Sequence, residues 1–210
     1  MNNTFSSTII AATAIGLSFA PGALVAADAK VAVAAPSGSY ANDPTHTSLH
    51  WKIGHIGLSN YTARMSDVAI TLDFNADKIE RSSLKASIGA ASVDTGYPGD
   101  KDFDAEVSGD MILKSAANPA IEFVSTKIKQ TGPSTADITG DLTLAGVTKP
   151  VTLQAVYQGS LEAHPFAKVP AIGFSATGEI DRTDFGVDFL SGKGLADTVA
   201  IEIQAEFIKQ

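Results

Sequence analysis

Apolar and polar residues alternate with a period of two along most of the chain beyond residue 46, and the clearest run is Asp137 to Ser160. There Ile138, Gly140, Leu142 and Leu144 alternate with Thr139, Asp141 and Thr143, and Val151, Leu153, Ala155 and Tyr157 alternate with Thr152, Gln154 and Val156. Successive strand side chains point to opposite faces, so the pattern predicts two strands, each with one apolar face. Gly146 sits in the connection, where it can take a positive φ without a Cβ clash. Pro150 has no N–H to donate and is expected at the first residue of the returning strand. The stretch reads as an antiparallel hairpin buried on one side.

The same period recurs along the chain. His46 to Ile53 sets Leu49, Trp51 and Ile53 against His50 and Lys52 and opens the first strand, which Gly54 and Gly57 then bend. Further alternating sets are Tyr61, Ala63 and Met65; Val68, Ile70, Leu72 and Phe74; and Leu84, Ala86, Ile88 and Ala90. Toward the C-terminus they are Phe174, Ala176, Gly178 and Ile180, then Val199, Ile201, Ile203, Ala205 and Phe207. In Ala120 to Ile128 both faces carry apolar residues, and alternation leaves the inward face unassigned. Val93 to Pro119 has no two-residue period; Phe103 and Val107, four apart, predict a short helix. Leu161 to Ile172, with Pro165 and Pro170, reads as a long loop.

Successive strands without crossover helices predict an all-β, antiparallel fold of about eight strands with one or two short helices. Closure into a barrel removes the sheet edges, whereas a sandwich would show the same alternation. A barrel of about eight strands is either filled by its own side chains or holds one small ligand, and alternation alone does not separate the two.

Composition narrows the function. A hydrophobic fraction of 44% over 210 residues is enough for a substantial core in one domain. A net charge of −8 argues against nucleic acid and against electrostatic attachment to anionic lipid. Residues 1–27 contain no Asp, Glu, Lys or Arg, and the Ala-rich run Ile9 to Ala27 reads as a secretory signal cut after Ala27, although Asn2 to Thr8 lacks the usual positive charge. A membrane anchor is the rival reading of that run. The expected organisation is a signal peptide at 1–27, a flexible linker at 28–42 and one exported domain at 43–210. With no Cys there is no disulfide and no thiol chemistry.

Catalytic and metal signals are weak. His46 and His50 fall on one side of an extended segment but lack a third ligand. Asp100, Asp102 and Asp104 imitate a calcium loop, but Ala105 and Met111 stand where its turn glycine and bidentate Glu belong. Asp181, Arg182 and Asp184 read either as a buried ion pair or as a turn between strands. No nucleophile elbow or phosphate loop is present, so no enzyme activity and no cofactor or metal is expected.

DPTHTSLHWKIGHIGLSNY from Asp43, AASVDTG from Ala90, NPAIEFVSTKI from Asn118, GDLTLAGVTKPVTL from Gly140 and IGFSATGEIDRTDFGV from Ile172 together resemble the YceI-like family of bacterial polyisoprenoid-binding proteins. The resemblance covers residues 40–208 and implies a lipocalin-like barrel, usually periplasmic, holding an isoprenoid chain or quinone tail in an apolar channel. The chain departs from the family at Glu106 and Val107 and at Met111, Ile112 and Leu113, where members often carry His-Leu and Asp followed by two aromatic residues. The expected lining is Trp51, Ile53, His55, Leu72, Phe74, Phe123, Leu142, Leu144, Leu153, Phe174 and Phe207, with His55 orienting a headgroup or making a structural hydrogen bond. Burial of one five-carbon isoprene unit would contribute about 3 kcal/mol before ordering costs, so such a ligand needs no polar motif. The alternative is an envelope interaction protein with a filled barrel; a homodimer fits either reading.

Overall fold

The computed structural model describes residues 35–210, so the expected signal peptide lies outside the described residues. The strands are β1 (Gly38–His55), β2 (Ser59–Met65), β3 (Val68–Phe74), β4 (Ser83–Gly89), β5 (Val93–Asp94), β6 (Ala120–Gln130), β7 (Thr135–Leu144), β8 (Val147–Leu161), β9 (Ala171–Asp181) and β10 (Leu195–Lys209). One helix, α1 (Phe103–Ser108), and 3-10 turns at Ile79–Arg81 and Arg182–Phe185 complete the elements. All strand pairings in the order β10-β9-β8-β7-β6-β4-β3-β1 are antiparallel, and β10 pairs again with β1, which closes an eight-stranded barrel and excludes the sandwich. The short strands β2 and β5 extend the sheet beside β1.

The first strand starts earlier than its alternation predicts. Gly38 opens β1 inside the segment expected to be a linker, and Tyr40 is fully buried, its hydroxyl donating to the Pro36 carbonyl at 2.6 Å. Ala, Ser and Gly around Tyr40 hide the strand because they carry little periodic signal. β1 then serves two neighbours on one side: residues 38–41 pair with β3 and residues 49–55 with β2. Between them residues 43–46 bulge out of register with β10.

Asn42 repairs the ladder at that bulge. Its carboxamide accepts from the Ile70 N–H at 2.7 Å and donates to the Val68 carbonyl at 3.1 Å, replacing a missing backbone partner. Asp43 organises the bulge by accepting from Thr45 N–H and Oγ1 and pairing with His46 Nδ1 at 2.8 Å. The Thr45 and His46 hydrogen bonds hold the Asp43 carboxyl down to about 2, and the Asp43 partner raises His46 above its ordinary value. The Asp43 contribution is therefore present above its ordinary 3.8 and lost as pH falls toward about 2. The His46 contribution is full below 6.5 and fades as pH rises through the raised value. NMR titration should give a raised His46 midpoint that returns toward 6.5 in Asp43→Asn; an unchanged midpoint would refute the pairing.

The hairpin forms as the alternation predicts, with Ile138 opposite Leu153 and Gly140 opposite Val151. Pro150 is not the first residue of the returning strand: it lies inside β8 opposite Asp141. It is tolerated because the pairing of β8 with β9 starts only at Gln154, so no β9 acceptor is left without a donor there. Gly140 makes room for Phe123: a Cβ at 140 would press on the Phe123 ring and lie 2.6 Å from the Val124 carbonyl oxygen. Gly140→Ala is expected to destabilise by about 1–3 kcal/mol, read from a urea denaturation midpoint. At Gly159 an added Cβ meets nothing within 4 Å, and Gly159→Ala should change stability by under about 0.5 kcal/mol.

Candidate ligand-binding site

The inner faces of the strands do not meet. They enclose a cavity of about 1390 Å³, above the roughly 300–1,000 Å³ of ordinary small-molecule pockets. Inward apolar residues such as Trp51, Ile121, Ile138, Leu153, Phe174, Ile201 and Ile203 stay only half-buried although they lie within the sheet, because their exposed side is the lumen. A side-chain-filled barrel would bury them fully, so the filled reading does not hold. On β6 the lining runs from Ile121 to Gln130, about 30 Å along the strand and about 23 Å along the barrel axis at the usual tilt.

All eleven residues expected from the sequence line this one cavity. Leu72, Phe74 and Phe207 are buried in a cluster at one end, with Phe174 against them. Phe123, Leu142 and Leu144 form a second cluster with Phe185 and Val187, and Leu153 packs on it. Trp51 packs on a third, made of Met65, Ile88, Val93 and Val107. Ile53 is buried, while His55 is exposed at the far end of β1. The rings of Phe174 and Phe207 meet edge to face at 6.1 Å.

The segment between β5 and β6, aperiodic in sequence, forms a lid across the end that carries α1. Asp102 caps α1 by accepting from the Ala105 N–H at 2.9 Å, and Asp104 accepts from Thr95 N–H and Oγ1 at 2.9 and 2.5 Å. These acids thus have structural partners, and among the described residues no group of three metal-capable side chains occurs. Phe103 stacks with Tyr61 and Tyr97 at 6.1 and 5.3 Å, and Tyr61 lies 6.4 Å from Trp51, which continues the apolar wall into the lid. Glu106, Val107, Met111, Ile112 and Leu113, the positions where the chain departs from its family, all line the cavity. The sequence pattern passed over Tyr61, Tyr97 and Phe103 as lining because only the three-dimensional path of the lid brings them together.

Arg182 closes the wall beside the lid. It is 4% exposed and donates from Nε to the Ala196 carbonyl at 2.9 Å and from Nη1 to the Val187 carbonyl at 2.7 Å. Its Nη2 reaches Asp197 Oδ1 at 3.3 Å, so its ionic partner is neither Asp181 nor Asp184. Asp181 instead caps the 3-10 turn, accepting from the Thr183 N–H and Oγ1 bonds that lower its pKa. Phe185 is 2% exposed and packs inward.

The cavity has solvent-contacting residues at both ends, Asp77 and Pro133 at one and His55, Tyr97, Met111 and Leu190 at the other. Among the described residues no helix is long and apolar enough to cross a membrane. What the arrangement offers chemically is a long, mostly apolar space whose charged lining residues lie toward its ends.

The model of the YceI-like domain matches residues 40–207. A UPF0312 protein of Pseudomonas fluorescens is 34% identical over 203 residues, which cover 96% of this chain and 97% of that protein. The crystal structure of the Campylobacter jejuni YCEI protein superposes with a TM-score of 0.66 at 29% identity, covering 74% of this chain and 89% of that one. A polyisoprenoid binding domain from Saccharophagus degradans shares the fold, with a TM-score of 0.60 at 15% identity over 81% of this chain and 98% of that one. With its closed antiparallel barrel and hollow apolar interior, the chain belongs to the YceI-like family.

Proposed function

We propose that this protein is an exported carrier that holds a polyisoprenoid or comparable long-chain lipid, such as a quinone, in its barrel for transport, storage or protection. The observation that carries the reading is the lumen: apolar side chains from every barrel strand remain accessible to a space of about 1390 Å³ that they do not fill. Each methylene transferred from water into it contributes about 0.8 kcal/mol, so a long tail binds through burial alone. Family membership supports the reading, as does the fold shared with a domain named for polyisoprenoid binding. The ten apolar residues of the expected lining, from Trp51 to Phe207, are proposed as tail contacts, and His55, at the mouth, as a headgroup contact. Binding rather than catalysis fits a wall this apolar, and the Ala-rich residues 9–27 support export.

Native mass spectrometry of the protein purified from its own periplasm, followed by organic extraction, tests this. A bound hydrophobic molecule released by the solvent is the expected result. Protein that arrives empty, and takes up no ubiquinone from detergent solution, would rule the carrier role out.

A further inference from the structure

Three loops at the α1 end of the barrel turn large apolar side chains toward solvent. Ile56 and Leu58 come from the β1–β2 connection, Tyr97 and Met111 from the lid, and Leu190 from the β9–β10 connection. Leu58 is 83% and Met111 67% exposed. Scattered singly, such residues would require no explanation. These are grouped around one opening, and Tyr97, Met111 and Leu190 line the cavity as well as facing out. The outer apolar surface therefore continues into the lumen.

The loops are fixed to one another. The Ile56 N–H donates to the Gly194 carbonyl at 2.5 Å, and Lys114 Nζ donates to the Gly186 carbonyl at 3.1 Å, so both other loops are tied to the β9–β10 connection. Ile56 and Leu190 hold left-handed backbone, with φ of 45° and 55°, a conformation uncommon for any residue but glycine and most costly for the β-branched Ile56. Strain of this kind persists where the surroundings impose it, and here it accompanies outward display of apolar side chains.

The occupant follows from continuity and charge. A tail leaving the lumen through this opening into water would lose about 0.8 kcal/mol for each methylene exposed. That loss vanishes only if the opening rests on a second apolar phase large enough to accept the tail, which a bilayer provides. Charges on the three loops are mixed with an acidic excess, Lys101, Lys114 and Lys193 against Asp100, Asp102, Glu106, Asp110 and Asp188. The chain as a whole carries −8, so attraction to anionic headgroups is not the force. Resting on the carrier reading above, we infer that this apolar ring docks the barrel mouth on a zwitterionic bilayer surface, so that a lipid tail passes between membrane and lumen without entering water.

The test is cosedimentation with phosphatidylcholine vesicles, comparing the wild-type chain with the double variant Ile56→Asp, Leu58→Asp, two ring positions that do not line the cavity. Both chains have the same length, so any contribution of the apolar N-terminal residues cancels. The wild type is expected to sediment with vesicles, without gain from added phosphatidylglycerol and without loss at high salt. Partition of the variant should fall about tenfold or more. Uptake of ubiquinone from detergent solution should be the same for both. Equal sedimentation of the two chains, failure of the wild type to bind phosphatidylcholine, or binding that appears only with phosphatidylglycerol would each overturn the docking proposal. If quinone uptake from detergent persists in any of those cases, the carrier reading survives alone; if uptake is absent, both fall.

Discussion

Ile138→Trp combined with Leu153→Trp is expected to lower ubiquinone uptake by about a hundredfold while leaving the barrel folded. The two positions are direct partners across β7 and β8, and both face the lumen. In a solid core the added rings would force neighbours off their rotamers. Here each ring grows into unfilled space, where apolar contact replaces an accessible surface, so the thermal midpoint should hold or rise. The volume taken is volume denied to the tail. Displacing one isoprene unit forfeits about 3 kcal/mol of burial, equivalent to about a hundredfold in affinity. Stoichiometry by native mass spectrometry after equilibration with quinone reads the effect, with the denaturation curve as control. Undiminished uptake by a folded double variant would move the ligand out of the barrel.

Arg182→Leu should destabilise the protein by about 3 kcal/mol, the largest effect expected for one substitution away from the apolar clusters. The guanidinium satisfies two backbone carbonyls, of Ala196 and Val187, from a buried position, and pairs with Asp197. A leucine of similar bulk keeps the packing but leaves those acceptors without donors, and each unsatisfied buried group costs about 1–3 kcal/mol. Asp197 remains partly in water, with 40% side-chain exposure, and adds little to the loss. Arg182→Lys should recover only part, because one ammonium on a flexible stem does not span three acceptors in a fixed fork. Midpoints of urea denaturation for the two variants decide it. Wild-type stability in Arg182→Leu would mean that the latch is dispensable.

The sequence exposed the barrel wherever one face was uniformly apolar, as in β3, β7, β9 and β10. It failed at irregularities that break parity. In β6, Ser125 pairs with Gly140 and Lys127 with Thr139, so Thr126 is an extra residue. Phe123 and Ile128 both end up buried despite their odd spacing, which is why strict alternation left that face unassigned. Asn42 could not be read as a ladder substitute, because its partners at Val68 and Ile70 are 26 and 28 residues away. Likewise the Arg182–Asp197 contact spans 15 residues of loop and strand, so nearer carboxylates looked like equal candidates. For the site, inward apolar positions were legible, but hollow and filled barrels share one pattern. The difference lies in strand tilt and in the lid, both set by long-range packing.

The seam between β1 and β10 has a further consequence for biogenesis. Tyr40 finds its partner at Lys209, and Trp51 at Ile201, so the edge that seals the wall joins strands from the two ends of the described residues. Until the last strand is in place the sheet stays curled and open, and its greasy interior is bare. Closure is then a late, slow event of high contact order, and the half-built intermediate is the species most exposed to aggregation and most suited to a holding chaperone.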